Sequence, residues 1–275
     1  MIPIALAAAF CFALASALHQ RAAKQQPQYR VPDPRLLFRL VRSRLWLSGW
    51  IPDSAGVALQ VVALRLGPLA VVQPVMASGL FMAVLIEAAM IRRRVAARDL
   101  LAVAVGVAGL SAFLVLADAR AGVATPSPGA WIVPLSGAAL VITAGVLVAY
   151  RLTGAARGAL LGMASGLAFS LAAALVKDVA GRYHGLASVV SWRLPALAVI
   201  VIVGLLLNQT AFQHGRLAAP LAAVTLTDPV ASVVIGVTVF RETLAVDPVR
   251  VVGLVIAGVT IAAGIWFAAG SSARG

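Results

Sequence analysis

Asp228 is the residue whose position in the sequence most narrows what this chain can do. It lies in an apolar stretch from Ala218 to Phe240 that is long enough to cross a lipid bilayer. A charged side chain near the middle of a bilayer costs about 2.5–3.5 kcal/mol or more, so such groups usually face a cavity or a partner. We therefore expect Asp228 to line a pathway for an ion or a small molecule.

A second carboxylate, Asp53, follows Pro52 directly in the apolar stretch 46–66. Gln60 comes two helical turns later, on a nearby face of the same predicted helix. A proline inside a helix removes one hydrogen bond and leaves one carbonyl free, and Pro229 does the same beside Asp228. Free carbonyls beside carboxylates are suited to binding a cation or a proton.

Three more polar side chains are candidates for the same pathway. Thr225 and Thr227 precede Asp228, and Arg193 lies within another apolar stretch, 186–212. A structural alternative also fits these residues, since an ion pair between Asp228 and Arg193 would hold two helices together. The sequence leaves both interpretations open.

The sequence contains no motif of a soluble enzyme. It lacks a phosphate-binding Gly-Lys-Ser/Thr loop, a His-Glu-x-x-His helix and a Cys/His cluster with metal-binding spacing. We therefore expect no catalytic residues and no cofactor, and the sequence does not decide whether a metal binds.

The composition is that of a membrane protein. Of 275 residues, 62% are hydrophobic and 11% charged, with a mean hydropathy of +1.01, whereas soluble domains average about 45–50% apolar and about 25% charged residues. The net charge of +13 comes from basic residues in connecting segments, which argues against nucleic-acid binding. The single cysteine, Cys11, excludes an intrachain disulfide.

Nine segments have the length and apolar character of membrane-spanning helices, which predicts an all-α polytopic membrane protein. They are 2–19, 46–66, 69–91, 99–117, 130–150, 158–178, 186–212, 218–240 and 249–268. Within the basic connection 20–45, residues 35–44 are a candidate interfacial amphipathic helix.

The distribution of basic residues predicts the orientation. Connections after odd-numbered helices, with the adjacent helix ends, carry 15 of the 22 Lys and Arg residues, and those after even-numbered helices carry 6. By the positive-inside rule the N-terminus lies outside and the C-terminus in the cytoplasm of a multi-pass plasma-membrane protein.

The two halves of the chain share a weak sequence repeat. Residues 9–18 align with residues 166–175, and a set of small and apolar residues in the first half recurs in the second: Ala63, Gly67, Leu69, Ala70 and Pro74 as Ala211, Gly215, Leu217, Ala218 and Pro220. Helices 1–4 (1–118) then correspond to helices 6–9 (152–275), and 119–151 is a linker containing helix 5. An odd displacement of five helices gives an inverted-topology repeat, which in secondary transporters places the substrate site between the copies near the membrane midplane.

Small residues at four-residue spacing predict close contacts between helices. Gly158, Gly162 and Gly166 have this spacing in helix 6, and alanines have it in helix 1. Such faces let helix backbones approach closely, either within the chain or in a homodimer.

Two regions resemble the drug/metabolite transporter superfamily, in its EamA-like and NIPA-like branches. One runs from Trp46 through Gly67-Pro68 to Gln73-Pro74; the other is Gly215-Arg-Leu-Ala-Ala-Pro220 leading to Phe240-Arg-Glu-Thr-Leu244. The resemblance implies an inverted-repeat transporter, and the NIPA-like branch implies magnesium as substrate. The NIPA-like pattern has a Gly-Glu pair in helix 2, whereas here Val57 follows Gly56.

The residues and the resemblance together leave three functions. The first is a secondary transporter that moves a small metabolite, an amphiphile or a cation by alternating access. The second is a magnesium or other divalent-cation transporter, and the third is a non-transporting membrane protein for assembly or lipid handling. The expected partners are the lipid bilayer and a small-molecule or ion substrate. Few charges within the spans favour the first function, because a bare divalent cation needs several oxygen ligands.

Overall fold

The computed structural model describes residues 1–25, 34–90, 97–182, 191–213, 218–244 and 247–272, and these residues are almost entirely helical. In chain order the helices are α1 (Ile2–Lys24), α2 (Pro34–Leu40), α3 (Arg44–Leu66), α4 (Leu69–Ala77), α5 (Gly79–Met90), α6 (Ala97–Ala117), α7 (Ile132–Ala149), α8 (Gly154–Gly181), α9 (Arg193–Gln213), α10 (Ala218–Thr238) and α11 (Pro248–Ser272). A 3-10 turn, Pro128–Trp131, leads into α7. The predicted all-α class is confirmed for the described part of the chain.

Within those residues, five helical segments are long and apolar enough to cross a membrane. They are Ile2–His19, Arg44–Leu66, Pro128–Ala149, Ala156–Gly181 and Arg193–Ala211. Four shorter apolar segments coincide with the other four predicted spans: Leu69–Ala83, Ala104–Ala117, Ala223–Thr238 and Pro248–Gly264. The candidate interfacial segment 35–44 largely coincides with α2.

Two predicted helices differ from the structure by more than a shift of their ends. The segment 69–91 is divided at Ser78, where α4 ends and α5 begins. The break lies against α1, because a Cβ added at Gly79 would be 2.9 Å from the Ala9 carbonyl oxygen. The predicted helix 186–212 is described only from residue 191 and is helical from Arg193, so part of that prediction lies outside the described residues.

Close contacts at glycines fix the relative directions of the packed helices. Along α3, Gly49 meets His19 and Gly56 meets Phe12 of α1, so α1 and α3 are antiparallel. In α6 and α11, Gly109 meets Ile261, and Leu116 meets Gly253, so this pair is also antiparallel.

The helix α8 lies at the centre of the bundle. It packs in parallel with α10, where Gly162 meets Pro220 and Gly166 meets Val224. It is antiparallel to α9, because Ser165 contacts Gly204 whereas Asp178 contacts Arg193, and it also contacts α3 and α7. The main core joins residues of α3, α4, α8 and α10, and its largest fully buried members are Trp131 and Phe240.

The connection between α6 and α7 crosses one end of the bundle. Arg120 pairs with Thr243 in an isolated antiparallel bridge, and the Val123 amide donates to the Phe240 carbonyl at 2.7 Å. Gly122 lies so close to the backbone of Phe240 and Arg241 that a Cβ has no room there. The linker therefore covers the end of α10.

Candidate functional site

Asp228 lies in the middle of α10, half-buried, with Pro229 inside the same helix. Its Oδ1 accepts a hydrogen bond of 3.2 Å from the hydroxyl of Ser232, one turn along, which is fully buried. Because Pro229 has no amide hydrogen, the Thr225 carbonyl cannot form its usual helical hydrogen bond. This segment of helix thus combines the Asp228 carboxylate with the Ser232 hydroxyl at a point where Pro229 interrupts the helical hydrogen bonds.

The glycines of α8 form the surface against which this segment packs. A Cβ added at Gly166 would be 2.9 Å from the Thr227 Cβ and 3.2 Å from the Asp228 amide nitrogen. Gly162 makes the same kind of contact with Pro220, and Gly158 is buried one turn earlier. The glycine face of α8 is therefore in contact with α10 of the same chain.

Asp53 and Gln60 are half-buried on α3. They flank Gly56, which contacts Phe12 of α1. The helix α3 packs along α1 and α8, whereas α10 packs along α8, α4 and α11. The two candidate carboxylates thus lie on helices that share α8 as a neighbour.

Arg193 does not pair with Asp228. It is the first residue of α9, and its Nε donates to Asp178 Oδ2 at 2.5 Å. Asp228 is ten residues from the end of α10, which at 1.5 Å per residue is about 15 Å deeper in the bundle. The proposed structural ion pair is therefore wrong, because Arg193 lies at the end of the bundle and Asp178 of α8 neutralises it there.

Asp178 is the centre of a buried cluster. Arg182 Nε donates to its Oδ1 at 2.7 Å, and the indole nitrogen of Trp131 donates to its Oδ2 at 3.1 Å. Arg182 also donates to the Pro126 carbonyl. The cluster joins α8 and α9 to the linker.

A second buried ion pair adjoins the first. Lys177 Nζ is 2.5 Å from Glu242 Oε1, and both side chains are almost completely buried. Glu242 also accepts hydrogen bonds from the amides of Leu69, at 2.7 Å, and Ala70, at 2.9 Å. These are free amides at the start of α4, where the helix dipole stabilises a carboxylate.

Aromatic rings connect the two pairs. Lys177 Nζ lies 5.0 Å from the centroid of the Phe240 ring, and Phe240 meets Trp131 edge to face at 6.1 Å. We call this end of the bundle, which contains Gly67, Trp131, Lys177–Asp178, Arg193 and Phe240–Glu242, the network end.

Of the network residues, the sequence marks Arg193 as a candidate, but it does not mark Lys177, Asp178 or Glu242. Lys177 and Asp178 end the predicted helix 158–178, where charged residues are ordinarily assigned to the membrane surface, and Glu242 occurs in a motif of the family resemblance. One sequence feature could have indicated the network. Lys177 and Asp178 are adjacent opposite charges at one helix end, and Arg193 and Glu242 are opposite charges near the ends of two other helices. Their burial comes from packing between distant segments, which local sequence does not reveal.

Within the described residues, no three His, Cys, Asp or Glu side chains lie together in a way that could hold a metal ion.

Comparison with known proteins finds a relative that aligns over most of the chain. The chain is 27% identical to an uncharacterised protein of Corynebacterium glutamicum over 247 residues, which cover 86% of this chain and 83% of that protein. No protein-family model matches the chain, and no solved structure matches it.

Proposed function

We propose that this chain is a secondary transporter of the drug/metabolite transporter superfamily, with nine membrane-spanning helices and an inverted-topology repeat. It moves a small metabolite, an amphiphile or a cation across the plasma membrane by alternating access. In this proposal α1, α3, α4–α5 and α6 form the first unit, α8–α11 form the second, and α7 is the linker.

The observation that carries the proposal is the pattern of helix packing. In this proposal α1 corresponds to α8, α3 to α9, α4–α5 to α10, and α6 to α11. Replacing each helix by its counterpart turns the packed pair α1–α3 into α8–α9. It also turns the pair of α1 with α4–α5 into α8–α10, and the pair α1–α9 into α3–α8. The pairs α4–α10 and α6–α11 map onto themselves. Both α1–α3 and α8–α9 are antiparallel, as such a repeat requires.

The depth of the polar residues supports a central site. Gly236 of α10 adjoins the Ala70 amide of α4 at the network end. From this contact, Asp228 and Ser78 are each eight residues away along their helices, or about 12 Å. In this proposal the network end lies at one face of the apolar core of the bilayer, which is about 30 Å thick, so both residues would be near its middle. The break between α4 and α5 thus lies at the same depth as Asp228, and broken helices at the midplane are typical of transporter sites.

The buried side chains near the break favour a polar or singly charged substrate. Gln73 and Ser78 are 2% and 5% exposed, and among the described residues neither Gln73 Nε2 nor Ser78 Oγ has a hydrogen-bond partner. A buried donor without a partner is costly and is satisfied by a ligand or by water. Together with one carboxylate, these groups suit a molecule with hydrogen-bonding capacity better than a bare divalent ion, which needs six or more oxygen ligands.

Uptake into proteoliposomes tests the proposal. Purified protein is first screened against small metabolites, amines and magnesium by thermal shift, because a ligand that binds the folded state raises its apparent stability. Ligands that shift the protein are then tested as radiolabelled substrates, with protein-free liposomes as the control. We expect saturable uptake of an organic molecule or monovalent cation. Uptake of magnesium alone would favour the divalent-cation alternative, and no uptake of any ligand would contradict transport.

A further inference from the structure

The two ion pairs at the network end differ in what they hold together. Asp178 joins α8 to α9 and to the linker residue Trp131, all outside the first unit. Glu242, which follows α10, binds the start of α4, and Lys177 binds the Gly67 carbonyl at 3.2 Å, next to α4. Lys177 and Glu242 both belong to the second unit, and their hydrogen bonds to Gly67, Leu69 and Ala70 join it to the first unit.

We propose that the Lys177–Glu242 pair is a gate that closes the network end of the transport pathway and opens when Glu242 leaves the start of α4. This inference rests on the proposed function. The acid and its neighbouring lysine control access from one side of the membrane, and they are functional residues additional to Asp228.

The Glu242 carboxylate fits closely into its place at the start of α4. Three donors reach the Glu242 carboxylate: the Leu69 and Ala70 amides and Lys177 Nζ. Gly236 provides the space, since a Cβ there would lie within 2.4 Å of Glu242 Oε2. Glu242 is 2% exposed, so the closed end excludes water from the carboxylate.

The energetics suit a closure that opens reversibly. The attraction within a buried ion pair is largely offset by the loss of hydration of both ions. When the units separate at this end, water reaches Lys177 and Glu242 together, and both regain hydration. The Asp178 cluster has no such role, because its described partners, Arg182, Arg193 and Trp131, all lie outside the first unit.

The reporter for the gate is Gln73→Cys in a Cys11→Ser background. Gln73 is three residues, or about 4.5 Å, deeper than Ala70 and is nearly fully buried. An impermeant thiol reagent is applied from each side, using intact cells and inverted vesicles. The gate variants are Glu242→Gln and the double variant Lys177→Met with Glu242→Gln, which leaves no unpaired buried charge.

The matched control is Asp247→Asn, which removes an exposed ion pair with Arg250 at the same end of the bundle. We expect the reporter to be protected from the network side in the parent and in the control. In both gate variants the modification rate of the reporter from that side should rise at least about tenfold, because the closed state is then less stable relative to the open state.

Uptake by the chain with its native Gln73 and Cys11 separates failure of the gate from failure of the proposed function, because Gln73 belongs to the proposed substrate site. If that chain transports and the modification rate is unchanged in the folded double variant, the gate alone is overturned. If that chain transports no ligand, the proposed function is overturned. If size-exclusion chromatography shows that neither gate variant folds, the pair is a fixed structural element and the gate is also overturned.

Discussion

At the scale of single residues, Asp228 and Asp178 differ in the partners that surround them. Both oxygens of Asp178 are bound by cationic or indole donors, from Arg182, Arg193 and Trp131. The described contact of Asp228 is with the neutral hydroxyl of Ser232. Of these two acids, Asp228 is thus the one that we propose for contact with a substrate or a coupling ion.

Replacing Asp228 with Asn tests this assignment. Asn keeps the shape and an oxygen that accepts from Ser232, and it leaves no cation unpaired. We expect stability to change by no more than about 1 kcal/mol, as for one altered hydrogen bond, while transport is lost. Thermal unfolding and proteoliposome uptake measure the two effects. Full transport by a stable Asp228→Asn protein would contradict a pathway role, and Asp247→Asn, an exposed position, is the control.

The sequence predicted the position of Asp228 because its helix is apolar on both sides. It did not predict the partner of Arg193, because Asp178 lies fifteen positions earlier, at the end of the preceding predicted helix. The depth of a charge within one helix is a local property, whereas its partner depends on which helices become neighbours.

At the scale of elements, the contact between α8 and α10 determines how Asp228 is presented. Gly162 and Gly166 let the α10 backbone approach, since their added Cβ atoms would lie 2.6 and 2.8 Å from backbone carbonyl oxygens. The four-residue spacing predicted close packing of this face. The division of 69–91 at Ser78 was not predicted, because the stretch is continuously apolar and the break is formed against α1.

Gly166→Ala should separate α8 from α10. The new methyl group would meet the Val224 carbonyl oxygen, which is backbone and cannot rotate away. We expect a loss of about 1–3 kcal/mol, the usual cost of overpacking, and a lower Tm in detergent. Gly137→Ala on α7, where no atom lies within 4 Å, is the control and should leave Tm unchanged or higher. Equal Tm values for the two variants would show that this contact is not tight.

At the scale of the whole molecule, the proposed function requires two units with opposite directions in the membrane. The helices α6 and α11 hold corresponding places in the two units and are antiparallel, so their first residues, Ala97 and Pro248, lie at opposite ends of the bundle. A parallel repeat would place corresponding residues on the same side. The basic connections predict that Ala97 is on the cytoplasmic side.

Cysteine labelling in intact cells tests this arrangement most directly. Ala97→Cys, Asp247→Cys and Gln25→Cys are each placed in a Cys11→Ser background, and all three positions are exposed in the structure. An impermeant thiol reagent should label Asp247→Cys, while Ala97→Cys and Gln25→Cys should react only after the cells are permeabilised. Labelling of Ala97→Cys and Asp247→Cys from the same side would contradict two oppositely directed units and, with them, the central site.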